Sequence, residues 1–211
     1  MTITRSGIVG LVFAVFVAAT CSCSQVAAPT RAKSTPASDA KPNTDEFAVN
    51  SIALKLPLAN PKIIVSKSRR RLMLYSNNKL VRLYRVGLGT DPVNDKIKEG
   101  DRRTPEGEFY IFIKNEHSAF YLSLGLSYPN AEDAERGLRD GLITRAQYNS
   151  IVDAIRRKVA PPQNTPLGGQ IYIHGNGSQS DWSWGCVALD NPNIRELFDA
   201  VPVKTQVVIK H

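Results

Sequence analysis

Arg71-Leu-Met-Leu-Tyr-Ser-Asn-Asn-Lys-Leu-Val-Arg-Leu-Tyr-Arg-Val86 sets how the rest of the chain is read. Two apolar runs flank Asn77-Asn78, and asparagine tolerates the positive φ of a tight turn, so the stretch predicts a β-hairpin. Short runs of the same kind lie around it. Lys62–Ser66 precedes it, and Glu108–Lys114, Phe120–Leu124, Gln170–His174 and Thr205–Lys210 follow. The loop from Gly87 to Gly107 is rich in Gly and Pro, which interrupt regular structure. One segment, Pro129 to Ala160, reads differently. Asn130 is placed to cap a short helix ending near Gly141, and Thr144 with Gln147 forms a capping box with Ile143 and Tyr148 as its hydrophobic staple. Tyr148, Ile151, Val152, Ile155 and Val159 then recur on one helical face, and Pro161-Pro162 ends that helix. The stripe reads as packing on the sheet, with covering a substrate as the alternative. After Asn191-Pro192, Ile194–Ala200 predicts another short helix. Many short strands with a helical insert around 130–160 predict a mainly β, sandwich-like domain over 61–211.

Outside that domain the composition changes. Residues 1–23 have the form of an export signal: Arg5, then an uncharged apolar run from Gly7 to Ala19, then small residues. The run is short for a membrane span. Ala18-Ala19-Thr20-Cys21 resembles a bacterial lipoprotein processing site, with Cys23 as a competing position, so either cysteine is a candidate for a lipid tether. Residues 24–60, rich in Ala, Ser, Thr, Pro, Lys and Asn, read as a flexible linker whose coil would reach roughly 30–35 Å. An exported protein at the envelope or in the periplasm is the expectation.

The chain has 211 residues, 42% of them hydrophobic, enough for a packed core and incompatible with wholesale disorder. Its formal charge is +8 and its pI about 9.5, which favours an acidic partner such as nucleic acid, an anionic membrane or an anionic polymer. No nucleic-acid motif supports the first. Arg69–Arg71, Arg102-Arg103 and Arg156–Lys158 are scattered and read as solvated surface charge. With Cys21 and Cys23 near the N-terminus, Cys186 is the single thiol of the body, so no internal disulfide is expected. No metal-ligand spacing occurs, and no metal or cofactor is expected.

That thiol has a neighbour in sequence. Ile171-Tyr-Ile-His-Gly175 and Asp181-Trp-Ser-Trp-Gly-Cys-Val-Ala-Leu189 bring His174, one of three histidines, close to Cys186. Cysteine attacks carbonyls as the thiolate, and an imidazole can take its proton, which makes the pair a candidate for acyl transfer. A third group should fix the imidazole tautomer. Asp181, Asp190 or a backbone carbonyl are the options. Gly185 removes a Cβ where substrate could approach, and the amides around Gly185 and Cys186 are candidate oxyanion donors. Ser183 could bond to the site or to substrate, and Gly175, Trp182 and Trp184 complete the expected cleft lining. His117 reads as part of a polar turn and His211 is the C-terminal residue; neither receives a role.

Ile-His-Gly followed by Ser-x-Gly-Cys-Val resembles the signature of the YkuD-type L,D-transpeptidase family. Gly-Asp-Arg-Arg-Thr-Pro-Glu-Gly-Glu-Phe (100–109), Leu-Gly-Leu-Ser-Tyr-Pro-Asn (124–130) and Thr-Pro-Leu-Gly-Gly-Gln-Ile-Tyr-Ile-His-Gly (165–175) look like family landmarks in the right order. The resemblance covers roughly residues 60–210. It implies a β-sandwich-like catalytic fold acting on peptidoglycan stem peptides, with Cys186 as nucleophile, His174 as base oriented by a backbone carbonyl, and Ser183 as the motif's hydroxyl residue. The acyl group would pass to an amine, giving a 3–3 cross-link or another attachment. Hydrolysis as an L,D-carboxypeptidase or endopeptidase, and a non-catalytic wall-binding module, are the alternatives.

Three features depart from the family pattern. Trp184 stands where a second His is common, Ala188 where Arg or Asn is common, and the gap from 175 to 182 is short. They resemble a branch bearing Asp-Trp-x-Trp-Gly-Cys-x-Ala-Leu, some of whose members cleave stems. The thiol–imidazole chemistry survives these changes; the acyl acceptor does not follow from them.

Overall fold

In the computed structural model the described residues are 49–211; the expected export signal, Cys21, Cys23 and most of the expected linker lie outside them. The hairpin forms where the sequence places it. Strands β1 (Lys62–Ser66), β2 (Arg71–Ser76) and β3 (Lys79–Arg85) run antiparallel in succession, and Asn77 and Asn78 take φ of 47° and 62° at the β2–β3 turn. Two consecutive left-handed residues match the twist of the flanking strands.

The remaining strands are β4 (Gly107–Ser118), β5 (Tyr121–Leu126), β6 (Tyr172–His174), β7 (Val187–Ala188) and β8 (Gln206–Lys210), and the sheet order is β3-β2-β1-β8-β4-β5-β6-β7. β8 lies parallel to β1, and β7 parallel to β6. The long strand β4 joins two halves: Gly107–Tyr110 pair with β8, and Ile111–Ser118 pair with β5. It outruns the expected Glu108–Lys114 because the hairpin with β5 continues to Ser118 opposite Tyr121. The far edge then meets the near one, since Gly87, just past β3, exchanges both backbone hydrogen bonds with Ala188 (2.9 and 2.8 Å). The sheet thus curls back on itself, with Ile63, Val65, Leu72, Leu74, Leu122, Leu124, Leu126, Ile173 and Val187 buried in one core between its halves. The architecture is mainly β, as the sequence predicts.

Helices α1 (Ala131–Arg139) and α2 (Arg145–Arg157) carry the expected caps. Asn130 with Asp133 and Thr144 with Gln147 each form a reciprocal capping box. The stripe, however, does not pack on the main core. Ile151, with Tyr148 and Ile155, meets Ile143, Ala134, Leu138 and Leu167 in a second cluster formed by the two helices and the 165–169 loop. Val159 lies beyond the helix, because Lys158 turns left-handed (φ 52°) and ends it. The Val159 carbonyl instead accepts the Tyr110 hydroxyl at 2.7 Å, which ties the insert to β4. A further helix, α3 (Asn191–Ala200), buries Ile194, Leu197 and Phe198 against the core. Among the described residues no helix is long and apolar enough to cross a membrane.

Residues 49–60, which composition assigns to the linker, lie along the domain. Asn50 exchanges hydrogen bonds with both backbone groups of Leu83, Ala59 does so with the Ser76 hydroxyl, and Leu54 and Leu58 pack against the core. The β-strand polar pattern had one blind spot as well. Arg82 occupies an inward position of β3 and is only 4% exposed, because its guanidinium pairs with Glu196 on α3 at 2.8 Å.

The other surprise is Lys67, fully buried at the end of β1. Its ammonium donates to the Asn94 and Thr104 carbonyls and to Glu106 at 2.7–2.9 Å, which fastens the 90–106 loop to the sheet. A buried ammonium is stable only when its donors are matched, and its removal leaves the acceptors unmatched in turn. Lys67→Met is therefore expected to cost about 3–5 kcal/mol and to lower the thermal midpoint by about 10 °C. Calorimetry checks this, and an unchanged midpoint would show the ammonium to be dispensable.

Candidate active site

His174 ends β6 and is 2% exposed. Its Nδ1 lies 2.7 Å from the Gly175 carbonyl, an acceptor-only group, so Nδ1 carries the proton and Nε2 is left as the basic nitrogen. The ring is also held from two sides. Phe120 lies across it at 4.7 Å between centroids, and Trp182 meets it edge-on at 5.5 Å. Burial lowers the His174 pKa below the ordinary imidazole value, partly offset by the Gly175 bond. The two carboxylates considered as orienters are used elsewhere. Asp181 forms a two-pronged pair with Arg70 and accepts the Leu88 N–H, while Asp190 accepts from Ser178 and Gln179.

Cys186 sits just before β7, half-buried. Its Sγ accepts the Tyr172 N–H at 3.4 Å and lies 3.5 Å from the Gln170 carbonyl. Burial pushes the thiol up to about 11, against the smaller opposing effects of the Tyr172 N–H and the Lys96 charge. At neutral pH both partners are thus uncharged: the thiol keeps its proton and the imidazole is free to accept one.

The nucleophile opens on two sides. One cleft of about 270 Å³ holds His174 and Cys186 together, walled by Asn115, His117, Ser123 and Tyr172. A second, about 220 Å³, reaches the thiol without His174 and is lined by Lys96, Glu99, Gln163, Gln170 and Trp184. His117, given no role from sequence, is thus a cleft residue; it lies near the end of β4 beyond the predicted strand, where no local pattern placed it. A larger groove of about 460 Å³ along Glu108, Tyr110 and Lys204 contains neither reactive side chain.

The other expected site residues do different work. The Ser183 hydroxyl donates to the Cys186 carbonyl at 2.7 Å and accepts the Gly185 N–H at 3.1 Å, so it braces the turn carrying the thiol. That bond occupies the Gly185 amide and removes it as an oxyanion donor, leaving the Cys186 amide as the candidate. Gly185 is required by backbone geometry, not by substrate: φ is 125°, and a Cβ would lie 2.6 Å from the Arg103 carbonyl. A Cβ on Gly175 would likewise lie 2.5 Å from Asn191 Oδ1 and 2.8 Å from the Phe120 carbonyl. Trp182 is a wall of the imidazole, its indole N–H donated to the Gly177 carbonyl. Trp184 is 73% exposed at the lip of the second cleft, with the Arg102 guanidinium over its ring. Ala188 is fully buried in β7.

Comparison with known proteins identifies the family. The model of the YkuD L,D-transpeptidase catalytic domain matches residues 60–209. The chain is 27% identical, over 71% of each sequence, to YqjB of Bacillus subtilis (strain 168), an L,D-transpeptidase by provisional designation. Among solved structures it is similar to the helical cell shape determining protein Pgp2 of Campylobacter jejuni (22% identity, TM-score 0.49, covering 79% of this chain and 52% of that one). It is also similar to an L,D-transpeptidase of Xylanimonas cellulosilytica (15%, TM-score 0.44, covering 75% and 64%). The matched span covers most of the described residues, and the chain belongs to the YkuD family of L,D-transpeptidase catalytic domains.

Proposed function

We propose that this protein is a cysteine acyltransferase acting on peptidoglycan stem peptides outside the cytoplasm. The observation that carries the reading is the shared cleft of Cys186 and a His174 whose Nδ1–H is locked to the Gly175 carbonyl. His174 Nε2 takes the thiol proton as Sγ attacks the carbonyl of the L-centre at the third stem residue. The oxyanion faces the Cys186 N–H. Collapse breaks the amide bond, and the imidazolium returns its proton to the departing amine of the terminal D-residue. An amine then attacks the thioester, giving up its proton to the same imidazole. Collapse breaks the C–S bond as the imidazolium returns that proton to Sγ, restoring the thiol.

One imidazole must protonate the leaving amine and deprotonate the acceptor, so both use the His174 cleft. The acyl chain of the donor stem accordingly extends into the second cleft, between Glu99, Gln163 and Trp184. A formal charge of +8 suits an anionic wall polymer. Tethering through Cys21 or Cys23 would keep the domain at the envelope.

The test is product analysis with disaccharide-tetrapeptide muropeptides. A cross-linked dimer is the expected result. Shortened stems alone would identify a hydrolase using the same residues, and absence of both products would leave a wall-binding module.

A further inference from the structure

We propose that a second groove, behind His174, binds a neutral pyranose of a wall glycan. This rests on the reading of the substrate as peptidoglycan and adds the sugar to it. The groove has a volume of about 390 Å³ and is lined by Phe120, Asn176, Gly177, Gln179, Ser180 and Trp182, none of them charged. Phe120 and Trp182 stand 5.8 Å apart at 51°, two faces of an angled cradle. Both rings are fixed from behind by His174, and Trp182 also by its bond to Gly177. Phe120 still leaves 42% of its surface exposed.

The C–H faces of a pyranose suit the electron-rich faces of such rings. Its hydroxyl and acetamido groups need partners that both donate and accept, and side-chain amides and hydroxyls supply these. The exposed Asn176 amide and Ser180 hydroxyl make no hydrogen bond within the described residues. The Gln179 side chain gives only Nε2, to Asp190 at 3.1 Å, so its Oε1 is unpaired, while its backbone carbonyl accepts the Arg85 guanidinium at 3.2 Å. A charged ligand would find no counter-charge among these six residues. Phe120 also lines the His174–Cys186 cleft, so a sugar held here stands beside the peptide at the thiol.

The probe is a peptide-free β-1,4-linked tetramer of N-acetylglucosamine, titrated into the full chain while the Trp182 indole N–H resonance is followed. The unmodified protein is expected to bind with a shift of that resonance. Asn176→Gly combined with Gln179→Ala should bind about tenfold more weakly. Glycine keeps the positive φ of 73° at position 176, and neither residue touches the thiol or imidazole. Unchanged carbapenem acylation of Cys186 in the variant shows that the site is intact. No shift in the unmodified protein, or equal affinity in the variant, would overturn the groove. Saccharide binding without acylation of Cys186 would support the groove and sink the thiol chemistry; acylation without saccharide binding would do the reverse.

Discussion

Cys186→Ala is expected to form no covalent adduct with a carbapenem or a tetrapeptide stem, whereas the unmodified chain gains one acyl mass on the peptide containing Cys186. The expectation is absolute because no other thiol lies in the domain; Cys21 and Cys23 precede it, and peptide mapping separates them from Cys186. Cys186→Ser distinguishes chemistry from shape. A serine hydroxyl is a far weaker acid than a thiol pushed up to about 11, and a base with a lowered pKa is poorly matched to it. Acylation of the serine variant should therefore fall by about 10³-fold or more. An adduct elsewhere, or turnover retained in the alanine variant, would remove Cys186 from the mechanism. A non-catalytic module would differ from the start, showing no adduct in the unmodified protein either.

What could be read from the sequence follows the range of the forces involved. The Asn77-Asn78 turn, the Asn130 cap and the Thr144–Gln147 capping box depend on residues within a few positions of one another and form as expected; the reciprocal bond between the Asn130 N–H and Asp133 was not foreseen. Periodicity showed that Tyr148, Ile151 and Ile155 bury a face, but it carries no information on what covers that face. The cover is α1 and Leu167, not the sheet. Lys67 and Arg82 were invisible for a related reason: each is buried only because partners far away in sequence match its donors. Ser183, Gly185 and Asp181 stand in the motif beside the nucleophile, and proximity alone suggested contact with substrate for the first two and with the imidazole for Asp181. Their hydrogen bonds and backbone angles show them holding the Cys186 loop against Arg70, Leu88 and the Arg103 carbonyl.

The loop that Lys67 fastens bears directly on the site. It supplies Lys96, Glu99 and Gly100 to the second cleft, and the Glu99 N–H donates to the Pro166 carbonyl of the facing loop at 2.9 Å. Within it, Asp101 accepts from Lys96 and from the Ile97, Lys98 and Arg103 amides, which leaves the loop internally braced as well. The wall of the proposed donor cleft is therefore set by a buried cation about 120 residues before the nucleophile in sequence. Sequence motifs near Cys186 contain no trace of that dependence.

His174→Ala should slow acylation at pH 7 by about 10²–10⁴-fold, the usual worth of a positioned general base. The pH profile makes the assignment specific. In the unmodified protein the working form has the imidazole neutral, and burial lowers its pKa from the ordinary value of about 6.5. Activity therefore rises with pH through a midpoint below that value and is flat above it. It falls as pH drops because protonation occupies Nε2. Without the imidazole, the thiol must lose its proton to solvent, and its raised pKa puts that ionisation near 11. The variant's rate should accordingly climb about tenfold per pH unit from pH 7 to 10, with no plateau in between. A plateau retained near neutrality in His174→Ala would mean that another group is the base, and His117, in the same cleft, would be the residue to test next.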